Sequence, residues 1–254
     1  MNAVLAETTA QLRAVGCVYA EEEAAILVAA ADSAAQLREL IGRRAAGEPL
    51  EQIVGHAEFD GTRVRLRHGV FVPRVRSQLL VREAATRTRP GDTVVDLCCG
   101  SGALGLALLR RVPGIDLTAA DSDPAAVACA RDNLGADRVF EGDLFDALPA
   151  GLRGRINVLL ANVPYVASAH IDYLPAEARL HEPRTALDGG PDGLDIFRAV
   201  VAAAGSWLAP GGLLLSEITE AQADTAAEVV RRAGLRPGLC HDDELEATVV
   251  TATR

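Results

Sequence analysis

Apolar residues recur at helical spacing through the first part of the chain. Leu5, Leu12 and Val15, then Ala25, Leu27 and Val28, then Leu37, Leu40 and Ile41 follow one another at steps that keep them on one face of a helix. Asp32-Ser33 stands where a cap would divide the second helix from the third, and Gly47-Glu48-Pro49 punctuates the end. This predicts a small helical unit over residues 1–55. A unit of that size is near the lower limit for independent stability, so it is expected to pack on the rest of the chain.

The period then changes. Between Phe59 and Pro73, Val64 and Leu66 alternate with Arg63, Arg65 and Arg67, and Val70-Phe71-Val72 comes after His68-Gly69. Alternation of this kind predicts a hairpin with one solvated face, its turn at His68-Gly69. From Gly91 onward, apolar strands and helices take turns. Strands are expected at Thr93–Leu97, Leu117–Ala120, Arg138–Phe140, Ile156–Ala161, Leu213–Ile218, Gly238–His241 and Ala247–Ala252. Helices are expected at Ala103–Arg110, Pro124–Leu134, Ile196–Leu208 and Ala221–Ala233, with an irregular stretch from Ala161 to about Pro191. The pattern defines an α/β fold: a mainly parallel sheet, helices on both faces, and ligands bound at the carboxyl ends of the strands.

Composition narrows the classes. The chain is 49% hydrophobic but only 4% aromatic, which fits an aliphatic core around strands buried on both faces. A net charge of −10 leaves no broad basic surface, so stable nucleic-acid binding is not expected. No apolar run approaches the roughly 18 residues of a membrane span, and Met1–Ala10 lacks the layout of a signal peptide. These features predict a cytoplasmic protein with no membrane partner. The five cysteines, Cys17, Cys98, Cys99, Cys129 and Cys240, stand in no zinc-ligand spacing, so they are read as free thiols and no metal is expected.

The chemistry begins where the strand Val94-Val95-Asp96-Leu97 runs into Cys98-Cys99-Gly100-Ser101-Gly102-Ala103-Leu104-Gly105. Glycines let a backbone turn tightly and approach a ligand. Gly100, Gly102 and Gly105 match the dinucleotide fingerprint, with Asp121 19 residues beyond Gly102 where a ribose-binding acid would stand. That motif alone fits a nicotinamide enzyme and a methyltransferase equally. Two further acids separate them. Asp96, just before the turn, can meet the ammonium of a methionine moiety, whereas it would repel a pyrophosphate. Asp143, in Glu141-Gly142-Asp143-Leu144-Phe145, can accept from an adenine amino group. Three carboxylates ending three successive strands suit a cationic, phosphate-free nucleoside, S-adenosylmethionine. Its expected contacts are Asp96, Cys98, Gly100, Gly102, Asp121, Asp143, Leu144 and Asn162.

The fourth strand ends Leu160-Ala161-Asn162-Val163-Pro164-Tyr165. With its surroundings, this stretch resembles the protein glutamine-N5 methyltransferases that modify peptide-chain release factors, the HemK-type enzymes. Gly47-Glu48-Pro49-Leu50 with Ile53, Gly55 and Phe59 is similar to that family's link between helical domain and hairpin, and Phe71-Val72-Pro73-Arg74 to the stretch leading into the catalytic domain. Glu182-Pro183-Arg184-Thr185-Ala186-Leu187, then Gly190 and Asp192-Gly193-Leu194, is similar to its Glu-Pro segment and the loop beyond.

The resemblance implies a Rossmann-like class I methyltransferase fold with a mainly parallel seven-stranded sheet. The helical substrate-binding domain would span 1–55, the hairpin linker 56–75 and the methyltransferase domain 76–254. It further implies methyl transfer to a glutamine amide of a protein, a release factor or another translation protein. S-adenosylmethionine would be consumed, S-adenosylhomocysteine released, and the enzyme would act as a monomer. Asn162, Val163, Pro164 and Tyr165 are then the catalytic stretch. The Asn162 side-chain oxygen and the Val163 carbonyl would accept the two N–H groups of the substrate amide, and Tyr165 would lie flat against it.

The chain departs from the family at several positions. Val163 replaces the first proline of Asn-Pro-Pro-Tyr, Cys98 a usual glycine, and Asn157 an Asp. Val75-Arg76-Ser77-Gln78 stands where a proline and acidic residues are usual. The alternatives are an adenine-N6 nucleic-acid methyltransferase, transfer to an unrelated protein or small molecule, a nicotinamide enzyme resting on the glycines alone, and a non-catalytic donor-binding scaffold.

Overall fold

The computed structural model describes residues 2–254. Helices α1 (Asn2–Ala14), α2 (Ala20–Ala30) and α3 (Ala34–Ala45) and the short α4 (Leu50–Val54) form the N-terminal unit. Leu12, Ala20, Ala24, Leu27, Leu40, Ile41 and Ile53 make its core. Ser33 caps α3, its hydroxyl accepting from the Gln36 N–H at 3.2 Å. The unit is tied to the rest by polar contacts. Arg44 pairs with Glu23 at 2.5 Å and reaches Glu177 at 3.1 Å, and the Gln52 amide donates to the Val70 carbonyl at 2.9 Å.

The hairpin differs from its expected position. β1 (His56–Phe59) pairs antiparallel with β2 (Thr62–Arg65), Phe59 opposite Thr62, so the turn is Asp60-Gly61. Both turn residues have positive φ, 50° and 67°, as a two-residue turn matching strand twist requires, and Asp-Gly is a strong sequence signal for it. The expected alternation is present: Val64 and Leu66 are buried and Arg63, Arg65 and Arg67 exposed. His68-Gly69 is no hairpin turn, and Val70–Val72 belongs to no strand. Val70 and Val72 pack with Leu66 and Cys129, while the Val72 N–H donates to Glu182 Oε1 at 3.1 Å.

A helix without a sequence expectation, α5 (Gln78–Arg87), comes next and buries Leu79, Leu80, Val81 and Ala84. The remaining order is β3 (Thr93–Leu97), α6 (Ala103–Arg111), β4 (Asp116–Asp121), α7 (Pro124–Leu134), β5 (Val139–Glu141), β6 (Ile156–Ala161), α8 (Ala176–His181), α9 (Asp195–Trp207), β7 (Leu208–Ile218), α10 (Ala223–Arg232), β8 (Arg236–Asp242) and β9 (Ala247–Thr253). Helix α8 interrupts the stretch expected to be irregular.

The α/β expectation holds: seven strands lie in the order β5-β4-β3-β6-β7-β9-β8. All pairs are parallel except β7 with β9 and β9 with β8. One apolar layer, with Leu80, Leu104, Leu108 and Val158, covers one face of the sheet, and Phe197, Val201, Trp207 and Leu159 cover the other. The chain runs outward from β3 through β4 to β5, then returns to β6 on the opposite side. The crevice between the carboxyl ends of β3 and β6 is therefore the switch point at which such sheets bind ligands. Among the described residues, no helix is long and apolar enough to cross a membrane.

Candidate functional site

A cavity of about 510 Å³ opens at that switch point. Cys98 and Gly100 after β3, Asp121 at the end of β4, Asp143 and Leu144 after β5, and Asn162, Val163, Pro164 and Tyr165 after β6 all line it. Two of the expected site residues are not on its wall. Asp96 lies beneath the glycine turn, and Gly102 caps α6 with φ 76°, where an added Cβ would fall 2.8 Å from Leu134.

Asp96 is wholly buried. Its Oδ2 accepts from the Gly105 N–H at 2.8 Å, an approach that a Cβ at Gly105, 3.0 Å from the same oxygen, would crowd. Its Oδ1 has no partner. Burial pushes the Asp96 carboxyl up to about 7, with Asp121 nearby adding and the Gly105 N–H opposing. Asp121 braces the turn from the next strand, accepting from the Gly100 N–H at 2.8 Å through Oδ2 and from the Asp123 N–H at 2.9 Å through Oδ1. Burial raises its carboxyl too, against the pull of those N–H groups.

Cys98 sits in this turn with φ 56°, in the left-handed region that a side chain disfavours. Cys98→Gly is therefore expected to stabilise the protein by about 0.5–1 kcal/mol, a rise of roughly 1–4 °C in Tm for a domain of this size. A thermal melt checks this, and a lower Tm would mean that thiol packing outweighs backbone strain. Burial pushes both the Cys98 and Cys99 thiols far up, so neither is a nucleophile at neutral pH.

On the β6 side, Asn162 donates from Nδ2 to Ser77 Oγ at 3.2 Å, while its Oδ1 is buried without a partner. Among the described residues, nothing donates to the Val163 carbonyl either. The backbone beyond it is clamped by a downstream loop. The Val166 N–H donates to the Leu187 carbonyl, the Gly189 N–H to the Val166 carbonyl, and Gln222 Nε2 to the Tyr165 carbonyl, at 3.0, 2.9 and 3.0 Å. A Cβ at Gly189 would lie 2.5 Å from the Pro164 carbonyl oxygen, so glycine is needed for the loop to close on this strand end. That clamp holds the strand end where Val163, in place of the first proline, has removed the stiffening of Asn162 by a following proline.

Arg74 pairs with the buried Glu182 at 2.6 Å and lies over the Phe71 ring, and Arg184 pairs with Asp188 at 2.9 Å. Both arginines are thus held by partners in their own chain. Ser77, Arg76 and Glu217 were not singled out by the motifs. Ser77 Oγ donates to Glu217 Oε2 at 2.5 Å, Arg76 Nε to Glu217 Oε1 at 2.9 Å, and the Tyr165 hydroxyl to the same Oε1. Burial and the neighbouring Glu217 push the Tyr165 phenol well up. One signal for Glu217 was present: it is the sole acid in the apolar run Leu213-Leu214-Leu215-Ser216-Glu217-Ile218.

A parallel sheet with a glycine turn, strand-end acids and an Asn-x-Pro-Tyr corner around one cavity defines a methyltransferase, and the family model "Methyltransferase small domain" matches residues 62–195. The fold is shared with the 16S rRNA N2 G1207 methyltransferase of T. Thermophilus solved with AdoMet and guanosine. That structure has a TM-score of 0.54 at 21% identity, covering 78% of this chain and 49% of that one. A release factor glutamine methyltransferase from Geobacter sulfurreducens is 38% identical over 206 residues, 79% of this chain and 71% of its own length. Others of that name align at 36–39%. The chain belongs to the release factor glutamine methyltransferase family. A 4-amino-L-phenylalanine/4-methylamino-L-phenylalanine methyltransferase from Streptomyces pristinaespiralis is also 38% identical, over 76% of this chain and 69% of that protein.

Proposed function

We propose that the chain transfers a methyl group from S-adenosylmethionine to the side-chain amide nitrogen of a glutamine in a peptide-chain release factor, acting as a monomer in the cytoplasm without stable nucleic-acid contact. Asn162 carries this reading: a buried amide oxygen with no partner, at the wall of the cavity, beside a free backbone carbonyl. Leaving a buried acceptor unpaired costs about 1–3 kcal/mol, and an NH2 group on a planar carbon satisfies both acceptors at once.

The donor end suits the nucleoside. Asp96 lies beneath the turn that would meet the methionine end, its Oδ2 holding that turn through the Gly105 N–H and its Oδ1 an unpaired acceptor below it. Gly102 caps the helix that follows, and Gly100 lets the turn lie close, with Cys98 as its side wall. Asp121 accepts from ribose hydroxyls, and Asp143 with Leu144 holds the adenine edge. Bound there, S-adenosylmethionine supplies a methyl carbon on a cationic sulfur and leaves as S-adenosylhomocysteine. The protein supplies alignment. Asn162 Oδ1 and the Val163 carbonyl fix the acceptor nitrogen with one face open, Pro164 shapes the corner, and Tyr165 covers the amide plane. An amide nitrogen is a weak nucleophile because its lone pair is delocalised, so orientation matters most, and it can supply up to about 7–11 kcal/mol in ideal cases. The proton released after transfer goes to solvent, and no general base is assigned. Residues 1–55 and the hairpin linker within 56–75 are the substrate-gripping part, with 76–254 as the methyltransferase domain.

The test is peptide mass spectrometry of release factors incubated with the enzyme and S-adenosylmethionine. One added methyl on a glutamine, dependent on the donor, is expected. The Streptomyces relative favours a second reading, a small aromatic amine as acceptor. An unmodified release factor alongside methylated 4-amino-L-phenylalanine would replace the first reading with that one.

A further inference from the structure

Glu217 is almost fully buried, its side chain 2% exposed, and is the one charged residue of its strand. Three donors converge on its carboxylate: Ser77 Oγ, Arg76 Nε and the Tyr165 hydroxyl. Such convergence is what a buried charge requires. It also has a consequence one bond further on. A serine hydroxyl carries a single proton. With that proton given to Glu217, Ser77 Oγ can only accept, and the group 3.2 Å from it is the amide of Asn162.

The oxygen and NH2 of an asparagine are nearly the same size, so shape does not choose which faces Ser77. The proton count does. Asn162 must turn its NH2 to Ser77 and therefore its oxygen to the other side, where it has no partner. Hydrogen-bond donation thus runs in one direction, from Asn162 through Ser77 to Glu217.

We propose that Glu217 is a positioning residue that sets the polarity of the Asn162 amide through Ser77, keeping an acceptor and never a donor toward the nitrogen to be methylated. This rests on the role proposed above for Asn162. Glu217 touches neither donor nor acceptor. It acts because a carboxylate accepts only, which a neutral side chain of the same shape cannot imitate. In Glu217→Gln the new NH2 can donate to Ser77, whose proton is then free for Asn162 Oδ1. The asparagine amide can turn over and face the acceptor N–H groups with its own NH2.

Two measurements test this on the full chain. In transfer assays, Glu217→Gln is expected to lower kcat about 30-fold with donor Kd unchanged, the size of one aligned hydrogen bond turned into a donor–donor contact. Ser77→Ala is expected to fall similarly, Ser77→Thr to stay within about threefold, and the Glu217→Gln, Ser77→Ala double variant to lose no more than the worse single change, as residues acting in one relay do. A kcat within threefold of the parent for Glu217→Gln, or single losses that multiply, would overturn the proposal. If Glu217→Gln does not fold, the two Ser77 variants decide, and equal losses in both would overturn it. The second measurement needs no acceptor and separates this proposal from the identity of the substrate. In 15N-edited spectra the Asn162 side-chain NH2 protons should show contacts to the Ser77 β protons in the parent and lose them in Glu217→Gln. Retention of those contacts in the variant would overturn the relay.

Discussion

Asn162→Ala is expected to lower methyl transfer by about a thousandfold or more while leaving S-adenosylmethionine affinity within about threefold of the parent. The asymmetry comes from where the side chain points. Its Nδ2 is occupied by Ser77, while its Oδ1 is buried without a partner in a residue that lines the cavity, so truncation removes the acceptor assigned to the substrate nitrogen. A thousandfold corresponds to about 4 kcal/mol of barrier, within what alignment and a preorganised dipole supply together. The donor end is built from β3, β4 and β5 and loses at most one edge contact. Single-turnover transfer and calorimetric donor binding, measured on the same preparation, separate the two effects. Equal losses in both would mean that Asn162 shapes the donor cavity rather than the acceptor.

Legibility in the sequence tracks the range of the interactions. The helix Pro124–Leu134 is legible to its ends because Asp123 caps it through the Ala125 N–H and proline opens it, signals contained in a few residues. Strands β3 and β6 are likewise legible to their ends, because continuous apolar runs stop at Asp96-Leu97 and at Asn162. The expected hairpin is misplaced because the alternation of Val64 and Leu66 with arginines carries on to His68-Gly69 and draws the turn there, past the stronger Asp60-Gly61 signal. Only Asp60-Gly61 has positive φ at both positions, as a tight turn needs. Helix α5 is hidden because it opens from a 3-10 turn at Val75–Ser77 with no side-chain cap. Within the site, the residues at strand ends are visible as motifs. The Ser77–Glu217 contact is not, because its partners lie 140 positions apart and meet only once α5 and β7 are packed together. No periodicity encodes such a pair. The one trace left in the sequence is an acid in a strand that buries both faces, and that is the trace that points to the relay.

Asp121→Ala should produce the opposite phenotype to Asn162→Ala: donor affinity lost, with the acceptor corner intact. Two hydroxyl-to-carboxylate bonds at the lower value of about 1.5 kcal/mol each amount to at least about 150-fold in Kd. The same change strips the Gly100 and Asp123 N–H groups of their acceptor, which loosens the turn on which the donor rests. Asp121→Asn keeps one acceptor oxygen but sets its NH2 against one of those N–H groups, so an intermediate loss of about tenfold is expected. The pH dependence has a definite sign. Burial raises the Asp121 carboxyl above its ordinary value of 3.8, so the folded protein holds this proton more tightly than the unfolded chain does, and stability falls as pH rises from 3.8 through the raised value. A donor that binds the carboxylate does the reverse: affinity rises with pH across the same window and levels off above it. Calorimetric titrations at several pH values on the parent and on Asp121→Asn check this, since the variant should lose this part of the slope. A parent whose affinity is flat with pH, together with an Asp121→Ala that binds as tightly, would place the ribose away from the end of β4.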